Sequence, residues 1–231
     1  MTGVAITCIN EQDGGPYVQA LGVRTRTRMV TPQDISISAE SVLGDLGGLL
    51  ITGGPDIDPL IDGGESDSET GLKLSTELDT LERGLLQHAL DHDMPVLAIC
   101  RGMQRVNLVF GGKLLQDIPA HRKELNDGCW VPVRHSIYLS PGSKLAAILG
   151  MGGFFKVNSL HHQGLREAQK SPRLLASAYS PDDAIIEGLE SPEHSWVVGV
   201  QFHPELSDQV PKVFSNLFTA FVERAEGYIK T

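Results

Sequence analysis

Short aliphatic runs punctuate the first hundred residues of the chain, and helical patterns separate them. Val4 to Ile9 is the first run, Leu46 with Gly48 to Ile51 the second, and Val96 to Ile99 the third. Apolar runs of four to six residues with little alternation suit strands covered on both faces. Their alternation with helices predicts a βα-repeating parallel sheet. The clearest helix lies between the second and third runs, where Leu78, Leu81, Leu85 and Ala89 share one face. Thr76 with Asp79 three residues on makes a capping-box pattern at its start, and Pro95 closes the segment before the next strand.

A further helix is predicted from about Gly102 to Phe110, stopped by Gly111 and Gly112. Beyond it the chain turns strand-rich, with Trp130 to Leu139, Phe154 to Val157, Leu174 to Ala178, Ala184 to Leu189 and Val197 to Gln201. Val210, Phe214, Leu217 and Phe221 recur at helical spacing and predict a last helix that packs back on the sheet. Arg24 to Met29 alternates Arg and Thr, as a polar edge strand does, and residues 60 to 75, acidic and rich in glycine, read as a loop.

Composition narrows the class. With 231 residues, 41% hydrophobic and 21% charged, the chain is expected to form one globular domain over residues 1–231, large enough to need neither disulfides nor a structural metal. Its net charge of −10, with scattered basic residues, argues against nucleic acid as a partner. No apolar stretch approaches the ~20 residues of a membrane span, and MTGVAITCIN lacks the basic start of a secretory signal, so a cytoplasmic location with no membrane partner is expected. Three cysteines, an odd number without CxxC spacing, suit a reducing compartment.

Two stretches carry chemistry. Cys100 follows Val96 to Ile99 directly and precedes Arg101, Gly102 and a helix. That order describes a nucleophile elbow, a sharp strand-to-helix turn that presents a side chain where the positive end of a helix favours an anion. In VVGVQFHPE, a buried strand delivers His203 and, two residues later, Glu205. Residues at i and i+2 of an extended chain share a side, so a carboxylate can steer the imidazole that a thiol nucleophile needs as its base. VNSLHHQ, Val157 to Gln163, adds a polar cluster after a strand. Adjacent histidines rarely face one ion, and Glu167 is the only carboxylate close by in sequence, so no metal is expected there.

AICRGMQ, GVQFHPE and LLITGGPDIDP together resemble the class I glutamine amidotransferase-like superfamily. Within it, GGPDIDP, LDTLE, PVLAICRGMQRVNLVFGGKLLQDI, VNSLHHQ and GVQFHPE, in that order from about residue 46 to 206, resemble the gamma-glutamyl-GABA hydrolase type. The resemblance implies a flavodoxin-like doubly wound α/β fold, a mostly parallel sheet with helices on both faces. It implies Cys100 as nucleophile, His203 as general acid and base, and Glu205 as its orienting acid. Gly53, Gly54 and Arg101 match the oxyanion hole, where a glycine pair after a strand lets backbone N–H groups approach the reacting oxygen. Gln104, Ser159 and His161 or His162 match the substrate pocket, and Asp79 with Glu82 an acidic pair on the long helix. Arg105 and the LIDGGES stretch depart from the family pattern and are expected to face the leaving amine.

The implied partner is a small gamma-glutamyl amide and no cofactor is required; a homodimer is left open. A rival reading is a glutaminase subunit that supplies ammonia to a separate synthetase. A non-catalytic binding protein on the same fold is disfavoured, because all three members of the triad are present.

Overall fold

The computed structural model of the chain describes residues 3–58, 60, 72–119, 121, 123–124 and 130–229. Cys129 and residues 61–71 of the acidic loop lie outside them. A nine-stranded sheet runs through the molecule in the order β2-β1-β3-β4-β11-β10-β9-β7-β8. Strands β1 (Gly3–Thr7), β2 (Arg26–Val30), β3 (Leu46–Ile51), β4 (Val96–Ile99) and β11 (Val197–Val200) are parallel. They are joined by α1 (Glu11–Leu21), α2 (Ala39–Leu43), α3 (Thr76–Asp91) and α4 (Arg101–Val109) in doubly wound fashion. The other half is antiparallel: β7 (Val133–Leu139), β8 (Gly153–Ser159), β9 (Leu175–Tyr179) and β10 (Ile186–Glu190). A small hairpin of β5 (Lys123–Glu124) and β6 (Trp130–Val131) stands apart. The sheet is therefore mixed, parallel where the site is built and antiparallel beyond β11. The Arg/Thr stretch forms the edge strand β2, as its alternation predicts.

Alternate residues of the central strands feed two cores, which is why their runs are apolar throughout. Val4, Ile6, Leu50, Leu97, Ile99, Val198 and Val200 pack with Tyr17 and Leu21 of α1 and Leu217, Phe218 and Phe221 of α6 (Ser215–Glu226). Leu145 and Leu149 of α5 (Lys144–Leu149) complete that layer. Ala5, Leu49, Ile51, Val96, Ala98 and Val197 face the other way, against α2, α3 and α4 through Leu43, Leu81, Leu85, Met103 and Val106. Among the described residues no helix is long and apolar enough to cross a membrane.

The predicted capping box at α3 does not form. Ser75 is the residue before the first turn, and it makes no side-chain cap. Asp79, which would close the box, is fully buried and paired with arginines of α4 instead. An ion pair inside the protein outweighs a cap exposed at a helix end.

Candidate active site

Strand β4 ends at Ile99 and α4 begins at Arg101, so Cys100 alone makes the turn. Its backbone sits at φ 54° and ψ −107°, a left-handed conformation that a residue with a Cβ adopts only under strain. The turn is held from two sides. The Cys100 N–H donates to Val200 O at 2.7 Å, tying it to β11. Behind it, a Cβ on Gly102 would lie 2.3 Å from the Ile51 carbonyl oxygen, so only glycine lets α4 rest on the end of β3.

His203 follows β11, and its Nδ1 lies 2.6 Å from Glu205 Oε1. Burial alone would hold the imidazole down, but the charges of Cys100 and Glu205 and hydrogen bonds to both raise it well above the usual histidine range. A protonated, paired imidazole beside the sulfur is the state that geometry favours. The second Glu205 oxygen is buried and has no hydrogen-bond partner among the described residues. Asn158 fixes His203 from behind: its side-chain oxygen accepts the His203 N–H at 2.8 Å, and its amide donates to His203 O at 2.9 Å.

Cys8, the other described cysteine, provides the contrast. Burial, reinforced by Asp13 and Glu11, pushes its thiol up to about 11 and keeps it protonated.

A pocket of about 210 Å³ opens over Cys100, lined by Gly54, Arg101, Gln104, His161, His162 and Gln163, with Asp56 and Lys73 among its polar groups. Gln104 donates to Gln163 O at 2.7 Å and to Gln201 Oε1 at 3.1 Å. His162 stands between Asp56 and Asp117 at 2.8 and 3.1 Å. Of the glycine pair, the Gly53 N–H donates to the Tyr17 hydroxyl at 3.1 Å, so the oxyanion role expected of it is already taken. Gly54 lines the pocket wall beside Arg101. Gly53 still matters for space, since a Cβ there would come within 2.7 Å of His203 Cε1.

Two expectations are corrected. Ser159 is fully buried and does not line the pocket; its hydroxyl donates to His121 O at 2.7 Å. Arg105 is fully buried rather than turned to an amine: like Arg101 it pairs with Asp79, and Arg101 also pairs with Glu82. Thr7 donates to Glu82 at 2.7 Å and the Asp58 N–H to Asp79 at 3.2 Å, so the acidic pair anchors the loop after β3 to the helices beneath it.

Gln201 and Tyr17 complete the site without having been singled out, while Asn158, expected as part of the VNSLHHQ cluster, holds the His203 backbone instead. The Gln201 amide lies 3.5 Å from Cys100 Sγ as a donor. It stands two residues before His203, just past the end of β11, and that spacing is the signal in the sequence. Burial and the Glu205 charge raise the Tyr17 phenol well above its usual range, so its hydroxyl stays protonated.

The Peptidase C26 family model matches residues 15–205, a span that holds Cys100, His203 and Glu205. The chain belongs to the Peptidase C26 family. Protein NtpR of Enterococcus hirae is 32% identical over 213 residues, covering 90% of this chain and 87% of that one. The gamma-glutamyl-gamma-aminobutyrate hydrolase PuuD of Escherichia coli K12 is 30% identical over 206 residues, 82% of this chain and 76% of the relative. Among solved structures, the glutaminase domain of Trypanosoma brucei CTPS with bound acivicin superposes with a TM-score of 0.70 over 100% of this chain and 96% of that one. At 16% identity it speaks for the fold alone. This Peptidase C26 member is a glutamine amidotransferase-like hydrolase with the class I amidotransferase fold.

Proposed function

We propose that the protein hydrolyses the gamma-glutamyl amide bond of a gamma-glutamyl amine to glutamate and the free amine. The observation that carries this reading is the strained Cys100 at the floor of a pocket, beside a histidine held at 2.6 Å by Glu205. An acidic residue, Asp56, and a basic one, Lys73, both line the pocket. That pairing suits the α-amino and α-carboxylate groups of a glutamyl head, and the Escherichia coli relative is named for such a substrate.

In this mechanism the Cys100 thiolate attacks the gamma-carbonyl carbon, and the backbone N–H groups of Arg101 and Gly54 receive the oxyanion. The C–N bond then breaks as the His203 imidazolium gives its proton to the leaving amine, which leaves a gamma-glutamyl thioester on sulfur. Water attacks the thioester carbon, His203 takes its proton, and the C–S bond breaks to release glutamate. Glu205 holds the imidazole and stabilises its cation at both steps. No cofactor takes part.

The test is release of glutamate by the purified chain alone from a panel of gamma-glutamyl amides and from glutamine. Turnover of the amides with Cys100 as the labelled residue is expected. Turnover of glutamine only, and only with a synthetase present, would replace this reading by that of an ammonia-supplying glutaminase subunit.

A further inference from the structure

Behind the pocket wall, three histidine side chains from distant parts of the chain converge on one carboxylate oxygen. Glu187, in the middle of β10, is fully buried, and neither of its oxygens has a hydrogen-bond partner among the described residues. Its Oε1 lies 3.5 Å from His135 Nε2, 3.8 Å from His161 Nε2 and 3.8 Å from His121 Nδ1, while the last two nitrogens are 3.2 Å apart. Donors bound at about 2.0–2.2 Å to one tetrahedral ion stand roughly 3.3–3.6 Å from one another. The separations from Glu187 and between His121 and His161, 3.2 to 3.8 Å, are close to that spacing, and the donor atoms of His121, His135 and Glu187 all lie within 4.8 Å of one another.

The outer hydrogen bonds orient the lone pairs. His161 Nδ1 lies 2.9 Å from Gln163 O. A carbonyl can only accept, so the proton is on Nδ1 and the Nε2 lone pair of the neutral ring points inward. His121 Nε2 donates to the Asp183 carboxylate at 2.8 Å, which turns its Nδ1 lone pair to the same point. Ser159 Oγ, 3.2 Å from that Nδ1, uses its one proton on His121 O. Two imidazole lone pairs and a buried carboxylate thus face each other. Donation of the remaining ring N–H to a carboxylate or a carbonyl is how metal-bound histidines are held. A cleft of about 340 Å³, lined by Ile118, Pro119, His121, His135, Arg166 and Asp183, reaches the cluster at His121 and His135.

We propose that His121, His135, His161 and Glu187 form a binding site for one divalent transition-metal ion of the zinc type. Three imidazoles and one carboxylate select such an ion over calcium or magnesium. Four protein ligands leave no position for a substrate or an activated water, so the ion is structural. It would clamp β7 and β10 to the VNSLHHQ segment, whose His161 is also part of the pocket wall.

The test uses untagged full-length protein carrying Cys100→Ala, so that no thiolate of the proposed triad competes, freed of metal by chelator and then given Zn²⁺ alone. Expected are one zinc per chain by mass spectrometry after desalting, a tetrahedral absorption spectrum with Co²⁺, and a higher Tm with zinc. His135→Ala and Glu187→Gln should each weaken binding by roughly 100-fold or more. His88→Ala, on the surface helix where His88 and His92 stack, should leave it unchanged. Glu187 is fully buried, so its variant is read only if folded; His135 is partly exposed, and its variant, with a wild-type circular dichroism spectrum, decides. Failure to take up one zinc per chain, or uptake by His135→Ala at the parent affinity, overturns the proposal.

Discussion

Cys100 stands between two buried charge clusters that are built differently. On the α3 side, Asp79 and Glu82 face Arg101 and Arg105, two acids against two guanidiniums, with Thr7 and the Asp58 N–H adding donors. On the β11 side a single carboxylate, Glu205, meets a single imidazole, and its second oxygen has no hydrogen-bond partner among the described residues. Arginine does not give up its proton in a protein, whereas histidine does so near neutrality. The first cluster therefore has a fixed charge and can only hold helices together. The second changes charge when one proton moves, which is what a proton-transfer site requires. Burial and opposite charge are common to both; the ability to titrate separates scaffold from chemistry.

The largest expected effect lies at the residue between the clusters. Cys100→Ala should lower kcat by about 10⁵-fold or more while leaving the Tm within a few degrees, and Cys100→Ser should behave similarly. Turnover measured beside thermal unfolding checks this, and activity surviving in either variant would remove the proposed nucleophile. Glu205→Gln comes next, with kcat down by roughly 10³- to 10⁴-fold and KM little changed. The Glu205 charge helps to hold His203 up. Without it the imidazolium loses its proton at lower pH, so the alkaline limb of the kcat/KM profile should shift to lower pH; an unmoved limb would mean that another group holds the imidazole.

On the scaffold side, Asp79→Ala leaves two buried guanidiniums facing one acid and should cost about 3–5 kcal/mol of stability, read from denaturant unfolding. Arg105→Ala breaks one of these ion pairs where Asp79→Ala breaks two, so it should cost less, and it should not change the ratio of kcat/KM between carboxylated and uncharged gamma-glutamyl amides. A changed ratio would restore Arg105 to substrate recognition. The smallest effect is a gain: Cys100→Gly, inactive but free of the Cβ that strains φ 54°, should be more stable than Cys100→Ala by about 1–2 kcal/mol.

The features that could be read from sequence are the local ones. Buried parallel strands show as unbroken apolar runs, and the elbow shows as strand, cysteine, glycine and helix within seven residues. His203 and Glu205 sit at i and i+2 in one motif. What escaped depends on contacts between distant segments. Asp79 has the spacing of a helix cap, and only the position of α4 beneath it makes it an ion-pair partner. Arg105 sits one turn past Cys100 and reads as near the substrate, yet it is fully buried and spent on Asp79. Ser159 looks like a pocket hydroxyl until His121, 38 positions away, takes its proton. One signal stood in plain view for the histidine cluster: Glu187 interrupts the run Ile185, Ile186, Gly188 and Leu189, and a carboxylate in a fully buried strand implies partners that have to come from elsewhere.

The seat of Gly102 on the Ile51 carbonyl has a consequence for how such an enzyme can be altered. It makes the reactive sulfur and the root of the Gly53-Gly54 loop parts of one rigid body, referenced to the same strand. The chain that leaves this body after Pro55 is latched at Asp56, whose carboxylate meets His162 Nε2 at 2.8 Å and whose N–H donates to Lys73 O at 2.8 Å, and again at Ile57, whose N–H and carbonyl meet the Gln163 side chain at 2.8 and 3.1 Å. Under the proposed function, a library aimed at new amines belongs after Asp58, beyond that latch, with Cys100, Gly102 and their strand left as they are.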